Sequence, residues 1–142
     1  MSCLIKGPVS EGEILREIRK LGLRKDTGGH SLFLGQVRDD LTEGKRVTAI
    51  EYSAYEVLAD AEAEKIETTI KNEFSDVQEI VIIHSVGMVK TGEISMFVMV
   101  SAGHRDQAIK ACRQAVEIIK ANLPVWKKEI FDDDSHKWRE NG

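Results

Sequence analysis

Residues 78–102 read Gln78-Glu79-Ile80-Val81-Ile82-Ile83-His84-Ser85-Val86, then Gly87-Met88-Val89-Lys90-Thr91-Gly92, then Glu93-Ile94-Ser95-Met96-Phe97-Val98-Met99-Val100-Ser101-Ala102. Two runs rich in β-branched and bulky apolar residues flank a segment with a glycine at each end. This pattern predicts strands over Gln78–Val86 and Glu93–Ala102, joined by a turn over Gly87–Gly92 and paired antiparallel. The next segment changes period. In Asp106–Asn122 and the residue after it, Ile109, Cys112, Val116, Ile119 and Leu123 fall at steps of 3, 4, 3 and 4, the buried stripe of a helix that Pro124 stops.

Upstream, Tyr55–Phe74 is the longest helical pattern, with a looser stripe of Leu58, Ala61, Ile66, Ile70 and Phe74. Val47–Ala54 alternates as a strand, with Val47, Ala49 and Glu51 on one face and Thr48, Ile50 and Tyr52 on the other. The polar segment Asp39–Arg46 reads as a loop. His30–Arg38 is a strand apolar on both sides, so both of its faces are expected to be covered. A helix over Glu11–Leu21 starts at Ser10, with Glu13 completing a capping box and Gly22 as its C-cap, and Cys3–Lys6 is a short strand. Downstream, Val125–Phe131, Asp132-Asp133-Asp134 and His136–Arg139 read as strand, turn and strand. The class is α+β: an antiparallel or mixed sheet with three main helices.

The chain has 142 residues, which predicts one domain over 1–142. Hydrophobic residues make up 42% and charged residues 31%, and with only 2 Pro the chain is not expected to be disordered. No apolar run approaches the ~18 residues of a membrane helix. The first residues lack the apolar core of a secretory signal, so a cytoplasmic location is expected. Twenty basic against 24 acidic residues give a formal charge of −4, so neither nucleic acid nor an anionic membrane is an expected partner. An anion site must therefore be a local pocket. Cys3 and Cys112 match no metal or CxxC spacing and are expected to be unpaired thiols; no metal and no cofactor is expected.

Four places carry unusual polar content. Arg38 stands where an apolar strand leaves the core, facing a pocket or paired with Asp39 or Asp40. Gly103-His104-Arg105 precedes a helix whose N–H groups favour anions, and its side chains add two cationic donors; the plainer alternative is a surface turn with Arg105 paired to Asp106. Lys120 stands beside the buried stripe, and Lys127 and Lys128 follow Trp126 on an extended segment, pointing to opposite faces. Crowding and burial lower a lysine's pKa and suit it to acid–base work. In the tail, Trp138 is read as a packing anchor and His136 as solvated, and His30 and His84 as hydrogen-bonded strand residues.

In order, Phe33-Leu34-Gly35-Gln36-Val37-Arg38, Glu51-Tyr52, Gly103-His104-Arg105, Lys120 with Pro124-Val125-Trp126-Lys127-Lys128-Glu129, and Trp138 resemble the large, catalytic subunit of molybdopterin synthase. The resemblance spans about residues 7–138, and the combination is far more specific than any single motif. It implies an α/β hammerhead with an additional antiparallel sheet, and membership of a heterotetramer with a central homodimer. It also implies an activity: sulfur passes from the C-terminal Gly-Gly thiocarboxylate of a small ubiquitin-like carrier subunit to cyclic pyranopterin monophosphate (precursor Z). Two such transfers form the dithiolene of molybdopterin, the organic part of the molybdenum cofactor. The implied catalytic residues are Lys120 and Lys127. The implied substrate-binding residues are Arg38, His104 and Arg105, with Phe33 shaping the pocket. The nucleophilic sulfur belongs to the partner, so no catalytic cysteine is needed. One departure stands out: many relatives have H-R-x-G where this chain has His84-Ser85-Val86-Gly87. The alternatives are a non-catalytic module binding a pterin or nucleotide phosphate through the same cations, or a purely structural dimer subunit. Phosphate binding alone does not require Lys120 and Lys127.

Overall fold

The computed structural model describes residues 2–140. In chain order they form β1 (Leu4–Lys6), α1 (Glu11–Lys20), β2 (Gly29–Gln36), β3 (Leu41–Thr42), β4 (Lys45–Ala54) and α2 (Glu56–Glu73). β5 (Val77–Lys90), β6 (Ile94–Ala102), α3 (Arg105–Asn122), β7 (Val125–Phe131) and β8 (His136–Glu140) follow. The main path of the sheet is β2-β6-β5-β4-β7-β8, antiparallel throughout; β1 joins β5 in parallel and β3 joins β4. Three helices on a mostly antiparallel sheet are the α+β class expected from the sequence.

The apolar pair at 78–102 is the centre of the sheet, with a different turn from the one expected. β5 does not end at Val86 but continues to Lys90, and the reversal is at Thr91-Gly92, where Gly92 has φ 87°. Gly87, with φ 86°, lies inside the strand, a conformation that L side chains rarely adopt. There β5 changes partners: Val77–His84 pair with β6, whereas Gly87–Lys90 pair with β4. One long strand thus joins two parts of the sheet.

Both faces of the β5–β6 pair are covered. On one side lie α2, through Ala59, Ala63, Ile66 and Ile70, and α3, through Ala108, Ala111, Cys112, Ala115, Val116 and Ile119. Alanines in these rows let the helices lie close to each other and to the sheet. Full burial of Ile66, Ile70 and Ile119 contributes about 1.5–3 kcal/mol each. On the other side Val9, Phe97 and Met99 form a smaller cluster with Ile14 of α1 and Val81 and Ile83 of β5.

Several local expectations are corrected. The α2 stripe runs through Ala59 and Ala63, and Leu58 and Ala61 are exposed, because the helix is rotated relative to the looser pattern. Ile109 of α3 is likewise exposed, the core side being filled by Ala108 and Ala111. A register shift between Val47 and Ala49 breaks the alternation of β4, so Val47, Ala49, Ile50 and Tyr52 are all buried. The segment read as a loop contains the β3–β4 hairpin, closed by Glu43 and Gly44, both with positive φ as a tight primed turn requires. Ser10 caps α1, accepting from the Glu13 N–H at 3.2 Å, but the Glu13 carboxylate bonds Arg16 and not the cap, and a 3-10 turn over Leu21–Leu23 replaces a glycine C-cap. Trp126 and Trp138 are 45% and 55% exposed and do not anchor the core. Trp126 stands edge-on to Tyr55, and Trp138 lies under the Lys128 ammonium. Both thiols are unpaired, as expected.

Candidate active site

Where β2 ends, the strand order brings together residues distant in sequence. Phe33 and Arg38 arrive from β2 and the segment after it, Tyr52 from β4, His84 from β5, Lys120 from the last turn of α3, and Lys127 and Glu129 from β7. They line a cavity of about 270 Å³. A larger trough of about 560 Å³ lies between α1 and α2. Its lining has more carboxylates than cations, and its Arg16 and Lys20 are paired with Glu13 and Glu17, so it offers no anion site. The smaller cavity is the cationic one.

Register places the side chains. Lys127 lies opposite Tyr52 on β4 and Arg139 on β8. Strand alternation sends its neighbour Lys128 the other way, to an ion pair with Glu51 at 2.9 Å. The opposite-face expectation for the two lysines holds, and Lys127 is the one at the cavity. Glu129, two residues on, is buried and bonded to Arg139. Arg38 keeps an exposed guanidinium 3.3 Å from Asp40, so it is both paired, as one reading had it, and on the cavity wall.

The electrostatics make the charged form of Lys127 costlier than in water. Burial and the neighbouring Lys120, outweighing the opposing Glu129, hold its pKa below the ordinary value of 10.5. The unfolded chain therefore binds this proton more tightly, and folding stability rises with pH from the lowered value up to 10.5. We expect this rise to be missing from Lys127→Met. Urea unfolding of both proteins as a function of pH checks it, and parallel curves would refute it.

The two thiols are pushed the other way. Cys3 is raised to about 12 by burial and by Asp60, and Cys112 is raised by burial in the α3 stripe. Neither is disposed to act as a nucleophile.

His104 and Arg105 are not in this cavity. They stand at the start of α3, both exposed, at the far end of the helix from Lys120. Asp76 ties the corner, accepting from the His104 N–H at 2.8 Å with His104 Nδ1 at 3.2 Å. Asp106, the partner considered for Arg105, pairs with Lys110. The corner is packed against glycines: a Cβ on Gly29 would lie 2.9 Å from the Arg105 backbone, closer than real Cβ atoms come. Among the residues that line the cavity, sequence reasoning did not assign His84 or Glu129 to the site. His84 shares the strand face of Ile80 and Ile82; its periodicity is that of a core histidine, and the one signal at hand is the family's H-R-x-G, kept here at His84 and Gly87.

Fold and site define an α+β protein with a small cationic pocket built where a sheet edge meets a helix C-terminus. The sequence profile of the family described as MoaE protein matches residues 5–122, and the chain belongs to that family. Over 117 residues it is 41% identical to the molybdopterin synthase catalytic subunit of Dictyostelium discoideum, covering 81% of this chain and 73% of that protein. Over 132 residues it is 35% identical to the protein of the same name from Taeniopygia guttata, covering 93% and 84%. The crystal structure of molybdopterin synthase from Staphylococcus aureus superposes with a TM-score of 0.85 at 28% identity, covering 98% of each chain. A complex of subunits 1 and 2 of molybdopterin-converting factor from Helicobacter pylori has the same fold, with a TM-score of 0.80 at 23% identity over 96% of this chain and 88% of that one.

Proposed function

We propose that this chain is the catalytic subunit of a molybdopterin synthase and that it transfers sulfur from the C-terminal thiocarboxylate of a small carrier subunit to cyclic pyranopterin monophosphate. The observation that carries the reading is the convergence of Arg38, Lys120 and Lys127 on one cavity, in a family of molybdopterin synthase catalytic subunits. Arg38 binds the substrate phosphate by charge-assisted hydrogen bonds. The thiocarboxylate sulfur bonds to the pterin side chain to give a thioester; water then adds to the acyl carbon, the carbon–sulfur bond breaks, and sulfur stays on the substrate while the carrier ends in a carboxylate, so that negative charge develops on the acyl oxygen. Lys120, nearest the carrier's C-terminus, stabilises it. Lys127, with its lowered pKa, exchanges protons with the substrate as the cyclic phosphate opens and water is lost. Phe33 supplies an apolar wall.

His104 and Arg105 require a second copy of the chain. Sixteen residues of helix separate His104 from Lys120, roughly 24 Å at 1.5 Å per residue. One pterin monophosphate cannot span that distance. In a homodimer at the centre of a heterotetramer, the corner of one protomer serves the pocket of the other.

The test is single-turnover conversion of precursor Z by the purified chain with its thiocarboxylated small subunit, assaying the dithiolene. Product is expected from the wild type. Mixing inactive Lys120→Ala and Arg105→Ala chains is expected to restore turnover in about half of the mixed dimers' sites. No product from a folded, partner-bound wild type would overturn the reading; no recovery on mixing would overturn the shared site.

A further inference from the structure

Cations dominate the charged groups of the pocket, yet a reduced pterin presents N–H donors as well as a phosphate. It needs an acceptor, and the carboxylates at hand are engaged: Glu129 by Arg139 and Asp40 by Arg38. Gln36, which is exposed, and Ser95, whose hydroxyl donates to the Gly35 carbonyl, also line the cavity; His84 is the buried aromatic acceptor among the lining side chains. Its ring is buried at 3% exposure, on the inward face of β5, edge-on to Tyr52 at 5.1 Å and 79°. Its Nδ1 lies 2.8 Å from the Ser85 carbonyl oxygen, which can only accept, so Nδ1 carries the proton. In the neutral ring Nε2 then holds a lone pair. No protein partner for Nε2 is present among the described residues, and the atom is not sealed off as the Ser85 hydroxyl is; His84 lines the cavity.

We propose that His84 is a further substrate-binding residue, its Nε2 accepting a hydrogen bond from an N–H of the pterin ring. This rests on the function proposed above, because it names what the same pocket recognises. The groups around the ring keep it an acceptor. Burial above all, and then Lys120 from α3 and Lys127 from β7, disfavour a positive charge on the ring and hold the imidazole below its ordinary pKa. Arg38 adds a further cation to the same pocket; Tyr52 from β4 is uncharged, its phenol raised by burial; and Glu129 is neutralised by Arg139. A protonated histidine here would be one more donor and would repel the pterin N–H. The neutral ring discriminates in favour of a ligand with a donor at this place, since a buried polar group left unpaired is costly.

Two amide substitutions separate the nitrogens. The shorter amide of His84→Asn retains a donor for the Ser85 carbonyl and withdraws the acceptor. His84→Gln carries an acceptor near the Nε2 position. Assayed with intact carrier subunit, His84→Asn is expected to raise KM for precursor Z about tenfold with kcat nearly unchanged, a ratio equivalent to ~1.4 kcal/mol. His84→Gln is expected to recover most of the loss, and carrier affinity to stay constant in both. In nitrogen NMR of the labelled wild-type chain, His84 is expected as the Nδ1–H tautomer, with the Nε2 resonance moving on addition of precursor Z. An Nε2–H or doubly protonated ring would overturn the inference, as would wild-type KM in both variants of an active enzyme. An inert wild type would overturn the proposed function and this inference with it.

Discussion

Lys127→Ala and Lys120→Ala are each expected to lower single-turnover dithiolene formation by about 10²–10³-fold. The two ammonium groups share a small, partly enclosed cavity, where water screens charge poorly and a fixed cation is worth more than in solution. Neither change is expected to unfold the chain. Burial and Lys120 raise the cost of charging Lys127, so removing either lysine relieves that cost, and the melting temperature of either variant is expected at or above that of the wild type. Carrier-subunit affinity is expected to be reduced more by Lys120→Ala than by Lys127→Ala, since the proposed mechanism puts Lys120 next to the carrier's C-terminus. Full turnover in either folded variant would remove that lysine from the mechanism. Equal losses of turnover with opposite effects on carrier affinity would reverse the assignment.

Glu129→Ala is expected to cost about 2–3 kcal/mol of folding free energy. Breaking a buried ion pair costs about 3–5 kcal/mol when the surviving charge stays buried. Here Arg139 is 38% exposed and recovers part of its hydration, so the loss is smaller. The same change removes the carboxylate that opposes the lowering of the Lys127 pKa, which is then expected to fall further. Urea denaturation reads the first effect. The second appears as a shift of the pH–rate profile to lower pH. Glu129→Gln keeps the shape and one hydrogen bond, so it should lose less stability while showing the same direction of pH shift. If both variants match the wild type in both measurements, the pair is an incidental surface contact.

The elements were legible because strong local signals agree. The β5 and β6 runs, the α3 stripe ending at Pro124 and the Ser10 cap each specify their element within a few residues. What was not legible depends on long-range geometry. Nothing near Gly87 says that it lies inside a strand, because the change of partner there is set by β4, more than thirty residues upstream. Leu58 and Trp126 are apolar in type and exposed in fact, and composition alone assigns such residues to the core. The candidate site divides in the same way. The family motifs name Arg38, Lys120 and Lys127, and the fold brings these three together. The same motifs name His104 and Arg105, which a single chain places at the opposite end of a helix. The family motif around His84 is notable in the sequence for its departure at Ser85 and not for the histidine, which pairs with β6 and reaches the site where β5 runs on to join β4.

Because β5 runs unbroken past Gly87, one strand is shared by the hydrophobic core and the cationic cavity. Its first half is clamped beneath α2 and α3, and its second half carries the register that sets β4 and, through β4, Lys127. A break in either half would uncouple both. The slowest-exchanging amides of β5 on the two sides of Gly87 should therefore exchange with one common opening free energy, and the cavity should lose its shape only when the whole sheet comes apart.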